Sequence, residues 1–225
     1  EKYDEWKDDP NMIGDVMRFL DNVLSDFINK APEQFKDAKY SAERERSVGL
    51  GVMGFHSFLQ KHKIPLESVM AKAWNKKIFK QIDKQVNQAS RDLADERGAC
   101  PDAAEYGFKE RFSNKTAIAP TASISIICGG ASPGVEPIAA NSYTHKTLSG
   151  SFNVRNRYLE EILETHGKND DETWSTITTN QGSVSHLEFL TDLEKDVFKT
   201  AFELNQKWIV ELSGDRTQYI SQAQS

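Results

Sequence analysis

Residues 118–130, Ile118-Ala119-Pro120-Thr121-Ala122-Ser123-Ile124-Ser125-Ile126-Ile127-Cys128-Gly129-Gly130, join an apolar run to a helical one. Residues 116–120 (TAIAP) suit a short buried strand. Pro120 closes it, and small hydroxyl residues then open a helix over 121–128. The first turn of a helix leaves backbone N–H groups unpaired and carries partial positive charge. Small side chains let an anion come close to those groups, and Thr121 and Ser123 add hydroxyl donors. Such a turn can hold a phosphate or diphosphate without a lysine. The same residues also suit an ordinary helix start with Thr121 as its N-cap, and side-chain chemistry alone favours that plainer reading.

Upstream, Met12, Val16, Phe19, Leu20, Val23, Leu24, Phe27 and Ile28 recur at helical spacing, which predicts an amphipathic helix over 11–30, capped by Asn11 and stopped by Pro32. Residues 33–47 are charged and read as a loop or a polar helix, and 48–61 begin with glycines and become helical. Residues 66–97 predict a long helix with Val69, Ala73, Trp74, Ile78, Ile82, Val86, Ala89 and Leu93 on one face and Gly98 at its end. Downstream of the junction, 129–142 is a loop rich in Gly, Pro and small residues, and 143–154 alternates in the manner of a strand. Helices follow at 156–166 and 171–179. A longer one is predicted at 191–212, with Leu193, Val197, Ala201, Leu204, Trp208 and Leu212 on one face. No repeat or linker interrupts the 225 residues, which read as a single domain.

Composition narrows the function classes. Hydrophobic residues make up 38% and charged residues 28%, which is enough for a core without metals or disulfides. The net charge of −6 argues against a nucleic-acid or membrane surface. No run approaches the length of a membrane span, and the polar start EKYDEWKDDP is not a signal peptide. Two cysteines, Cys100 and Cys128, read as free thiols in a cytoplasmic protein. The histidines His56, His62, His145, His166 and His186 form no ligand pair, so no metal site is expected. The chain starts at Glu1, not Met, and is read as a fragment or a processed product.

Three further motifs have both a functional and a plainer reading. Gly49-Leu50-Gly51-Val52-Met53-Gly54 matches the dinucleotide-binding GxGxxG, but AERERS before it is no buried strand and no acidic residue follows at the right distance. Its glycines are read as allowing close packing where a segment turns into a helix. Glu136, in the loop Gly129–Pro137, has no partner acid or base nearby in sequence. Each cysteine is read as a small buried hydrophobe in preference to a reactive thiol.

Together the segments resemble the large (alpha) subunit of ribonucleotide reductase. Arg46 to Gly54 is similar to its RxxGxGVxG segment, and Ala89 to Pro101 (ASRDLADERGACP) to a helix end that closes in Gly-Ala-Cys-Pro. Ile118 to Pro137 resembles its strand, phosphate loop and Glu-Pro loop. Tyr143 to Phe152 (YTHKTLSGSF) resembles the YTRRxLSGxF of class I enzymes. Gln181 to Val184 and Tyr219 to Ser225 resemble two later landmarks.

The resemblance implies a helix-rich α/β fold, the second half of a ten-stranded α/β barrel. It also implies that Thr121, Ala122, Ser123 and Ile124 hold the substrate diphosphate, with Ile124 standing where class I relatives carry a hydroxyl residue. The complete enzyme would reduce a ribonucleotide to a deoxyribonucleotide. A cysteine thiyl radical takes the ribose 3′-hydrogen, the 2′-hydroxyl leaves as water, and a thiol pair supplies electrons. The family's Asn-x-Cys-x-Glu finger motif is absent here, so this segment carries no catalytic residue and is expected to be inactive alone. Its implied partners are a ribonucleoside diphosphate, the missing half of the large subunit, and a radical-generating di-metal small subunit with a dithiol reductant. Exposed edges of a half-barrel further imply oligomers. Two alternatives stay open: a cobalamin-dependent (class II) reductase, and a non-catalytic phosphate-binding scaffold.

Overall fold

The computed structural model describes residues 1–147 and 150–224. Leu148, Ser149 and Ser225, which belong to segments quoted above, lie outside them. In chain order the helices are α1 (Tyr3–Trp6), α2 (Met12–Lys30), α3 (Lys36–Glu45), α4 (Phe55–Lys61), α5 (Val69–Arg97), α6 (Pro101–Glu105) and α7 (Ala122–Ile127). Strands β1 (Ser142–Thr147) and β2 (Gly150–Arg155) form an antiparallel hairpin in which Ser142 faces Arg155. Then come α8 (Arg157–Thr165), α9 (Asp171–Thr179), α10 (Asp192–Val197) and α11 (Gln206–Thr217). The result is the expected helix-rich α/β chain.

The chain divides into two compact units. One comprises Tyr3–Gly51, Asn75–Ala119 and Ser213–Ser225. Its core includes Ile13, Met17, Ile78, Ile82, Val86, Leu93, Cys100 and Phe112. Three extended segments meet in it. Leu50 bridges Thr116 and Ile118 bridges Gln224, both in parallel, so the expected strand at 116–120 appears as isolated bridges on its two sides, not as a continuous ladder. The glycines of the 49–54 motif explain the closeness of this pairing. A Cβ on Gly51 would lie 2.6 Å from the Ala117 carbonyl oxygen, and one on Gly49 would lie 3.2 Å from the Ala117 Cβ. The polar segment 36–45 resolves as helix α3, ending at Arg46 in the left-handed region (φ 44).

The Arg46 guanidinium, together with Arg97 and Arg111, converges on Asp21, which is fully buried. Burial alone would push the Asp21 carboxyl up, but hydrogen bonds from Arg111, Arg97 and Arg46 outweigh it and hold the group below the usual carboxylate range. On α2 the apolar stripe is wider than the buried face. Ile13, Met17 and Ile28 are inside, while Phe19, Val23 and Phe27 are exposed. The cap expected from Asn11 is not made by its side chain. Instead its own N–H donates to Asp9 Oδ1, which draws Asn11 into a turn.

The second unit comprises Glu1–Lys2, Val52–Trp74 and Pro120–Leu212. Its core is Leu159, Ile162, Leu163, Trp174, Ile177, Val184, Leu187, Leu190, Val197 and Phe198. Fully burying side chains of this kind contributes about 1.5–3 kcal/mol each. Trp174 also satisfies its indole N–H on Asn169 Oδ1 at 2.7 Å. The single helix expected over 191–212 is not formed. The chain is helical over Asp192–Val197, opens, and becomes helical again at Gln206. The break contains neither Gly nor Pro, and side chains cause it. The Glu203 carboxylate accepts from Thr200 N–H and Oγ1–H, and the Glu67 carboxylate takes Asn205 N–H at 2.6 Å. These acceptors satisfy backbone donors that a continuous helix would have used. Leu193, expected on the buried face, is 57% exposed.

Candidate functional site

The segment after Pro120 forms α7, and its residues lie in the second unit. Thr121 has φ 51 and ψ 30, a left-handed conformation uncommon for a β-branched residue. It precedes the helix but does not cap it. Its Oγ1 accepts instead from Gly134 N–H at 2.7 Å. The plainer side-chain-cap reading of Thr121 is thus corrected: the acceptor that would have served α7 is engaged thirteen residues downstream. The first intrahelical bond is Ser125 N–H to the Thr121 carbonyl. Ala122, Ser123 and Ile124 precede it and are exposed, Ile124 by 56%. Ser125 is buried and returns its hydroxyl to the Ala122 carbonyl.

A cavity of about 390 Å³ adjoins this turn. Of the four residues picked out by sequence, Ala122 lines it, together with Ser125 and Ile126 of α7. The rest of the lining comes from α4, the loop between α7 and β1, β1, β2 and the start of α8. Its volume falls in the range of small-molecule sites, which are mostly apolar with a few placed polar groups. Three of those groups are neutral amides. Asn156 Nδ2 donates to Asn141 Oδ1 (2.8 Å) and to Gln60 Oε1 (3.1 Å). Asn141 Nδ2 donates to the carbonyls of Gly182 and Phe198, and Asn156 Oδ1 accepts from Tyr158 N–H to cap α8. Gly182 (φ 80) must be glycine here, since a Cβ would lie 2.4 Å from that of Ala140.

Two arginines border the cavity, each already engaged. Arg155 pairs with Asp171 and lies over the Trp174 ring, and Arg157 pairs with Glu1 and lies over Tyr158. Burial pushes the Tyr143 hydroxyl above its ordinary value. His56, next to the cavity-lining Ser57, is held neutral: complete burial lowers its pKa to about 4, and its Nδ1 accepts from Ile138 N–H.

Sequence reasoning did not find Asn141, Asn156, Gln60, Arg155 or Arg157. Asn156 carried a signal, since an Asn at the first position of the predicted helix 156–166 is a cap residue type. Glu136 closes a turn onto the Pro133 carbonyl, with no catalytic partner among the described residues. Cys100 is fully buried in the other unit, and Cys128 ends α7 on the surface. Among the described residues no group of three or more His, Cys, Asp or Glu could hold a metal ion, and no helix is long and apolar enough to cross a membrane.

The family profile described as "Ribonucleotide reductase, barrel domain" matches residues 2–110 and 102–225. The ribonucleoside-diphosphate reductase large subunit of Invertebrate iridescent virus 6 is 48% identical over the whole of this chain and 24% of its own length. That of Danio rerio is 30% identical over 93% of this chain and 30% of its own length. Among solved structures, the Actinobacillus ureae class Id ribonucleotide reductase alpha subunit matches with a TM-score of 0.90 and 39% identity, over 99% of this chain and 41% of that one. The chain therefore spans only a quarter to two-fifths of the length of these relatives.

Proposed function

The chain belongs to the ribonucleotide reductase barrel-domain family, and from that membership we propose that it is the part of a ribonucleoside-diphosphate reductase large subunit that holds the substrate's diphosphate. Thr121, Ala122, Ser123 and Ile124 are the proposed binding residues. The observation that carries this reading is the state of Thr121: its hydroxyl is drawn away from α7, and the exposed turn that follows is left without a side-chain cap. Amide and hydroxyl donors of this kind suit a phosphate. In this proposal the segment binds and orients substrate. The thiyl radical, its small-subunit generator and the dithiol reductant come from outside it, in the cytoplasm. A cobalamin-dependent enzyme is not favoured, since the relatives above are diphosphate reductases and the solved one is of class Id.

The test is Ser123→Asp in the complete large subunit. A carboxylate on the exposed first turn repels a diphosphate. KM for the ribonucleoside diphosphate rises at least about a hundredfold, because like-charge juxtaposition costs several kcal/mol. An unchanged KM in a normally folded variant would overturn the assignment.

A further inference from the structure

We propose that Ser57 and Ser132 are positioning residues for the diphosphate turn, fixing Gly134 so that its N–H sets the direction of the Thr121 hydroxyl. This rests on the reading of residues 121–124 given above. A left-handed threonine persists only where its surroundings over-determine it. The group that reaches Thr121 is the Gly134 N–H, at 2.7 Å from Oγ1. A threonine hydroxyl has one proton and two lone pairs. With a lone pair committed to Gly134, the proton is directed elsewhere and the hydroxyl serves a ligand as a donor.

Gly134 is in turn held against α4. Its carbonyl accepts from Phe55 N–H at 3.3 Å. Two residues earlier, Ser132 and Ser57 exchange reciprocal bonds: Ser57 N–H donates to Ser132 Oγ (3.1 Å) and Ser132 N–H to Ser57 Oγ (2.8 Å). Gly54 N–H adds a bond to the Ser132 carbonyl at 2.9 Å. Ser57 is 4% exposed and Ser132 not at all, so each hydroxyl satisfies an amide that lacks ready access to water. Deleting either leaves a buried N–H unpaired and frees the loop that carries Gly134.

The experiment uses the complete large subunit with its radical-generating partner, CDP as substrate, and cytidine as a ligand without phosphates. Ser132→Ala and Ser57→Ala each raise KM for CDP about tenfold, with kcat within about twofold, because a binding contact has been misplaced and the chemistry has not. Their effects are not additive, since both act through one loop. CDP affinity by equilibrium dialysis falls in step with KM, while cytidine affinity holds. Equal weakening of CDP and cytidine would mean general disorder and overturn the proposal, as would loss of native circular dichroism in both alanine variants. Thr121→Val separates the two levels. If it weakens CDP and the serine variants do not, the positioning role fails alone. If none of the three changes CDP binding, the diphosphate turn itself is wrong.

Discussion

Asp21 and Ser132 are both polar and both fully buried, yet they are satisfied in opposite ways. Asp21 sits among Arg46, Arg97 and Arg111, a carboxylate surrounded by formal charge. Ser132 is held by backbone amides and another serine, with no formal charge in the arrangement. The same neutrality runs through the Gln60–Asn156–Asn141 amides of the cavity wall. Three guanidinium groups meet on one buried carboxylate in the first unit; in the second, neutral dipoles hold the loop behind the candidate turn, and the ion pairs of Arg155 and Arg157 stand at the border of the cavity. A fixed carboxylate beside the turn would repel a diphosphate, whereas oriented N–H and O–H dipoles attract one and need little rearrangement when it arrives.

The largest expected effect tests the charged side of this contrast. Asp21→Asn leaves three guanidinium groups around a neutral amide, and breaking a buried pair in this way costs about 3–5 kcal/mol. Urea denaturation measures it. A loss below about 1 kcal/mol would mean that Arg97 and Arg111 are held well enough by Asn22, Glu96 and the carbonyls of Arg97 and Gly98, and the cluster would no longer count as an anchor. Because the Asp21 carboxyl is held low in the folded chain, its contribution is present at neutral pH. It is lost only as pH falls below the ordinary aspartate value and through the folded one.

The neutral side has its own pH signature, smaller and at milder acidity. His56 protonates near pH 4 when folded and near 6.5 when unfolded. Between those values the unfolded chain binds a proton that the folded one refuses, so stability falls as pH is lowered. From pH 7 to pH 5 the expected loss is on the order of 2 kcal/mol. His56→Gln can keep an acceptor for Ile138 N–H without titrating, and its denaturation midpoints should fall less over that interval than those of the parent chain. Equal slopes in the two proteins would place His56 in a wetter setting than its burial indicates.

Much of the fold was legible because periodicity is local. The repeat over 66–97 gave α5 as Val69–Arg97, and the strand-to-helix change at Pro120 gave the start of α7. Reading failed where a distant partner decides. Nothing near Asn205 says that Glu67 will take its amide, and the local Thr200–Glu203 pattern that marks a new helix start was hidden by apolar spacing that looked continuous. The Asp21 cluster joins residues 25 to 90 positions apart, and the Ser57–Ser132 pair spans 75. The four proposed turn residues could be singled out in sequence because they are contiguous. The loop 129–137 was noticed too, but not its bonds to Thr121 and Ser57, because these depend on where α4 lies.

The smallest expected effect is the sharpest probe of the neutral site. Ile124 stands on the turn where the resemblance implies a hydroxyl residue, and it is more than half exposed. Ile124→Thr keeps a β-branched side chain, so the start of α7 is little disturbed and stability should move by no more than about 0.5 kcal/mol. It adds one O–H donor beside a backbone N–H that is already present. A neutral hydrogen bond is worth about 0.5–1.5 kcal/mol net, so CDP should bind roughly three- to tenfold more tightly by equilibrium dialysis. Cytidine, with no phosphate to receive the new donor, should show no gain. If the gain appears for CDP alone, the turn binds through added dipoles as the contrast with Asp21 requires. If both ligands gain equally, the side chain at 124 touches the nucleoside, and the diphosphate must be held by Thr121–Ser123 without it.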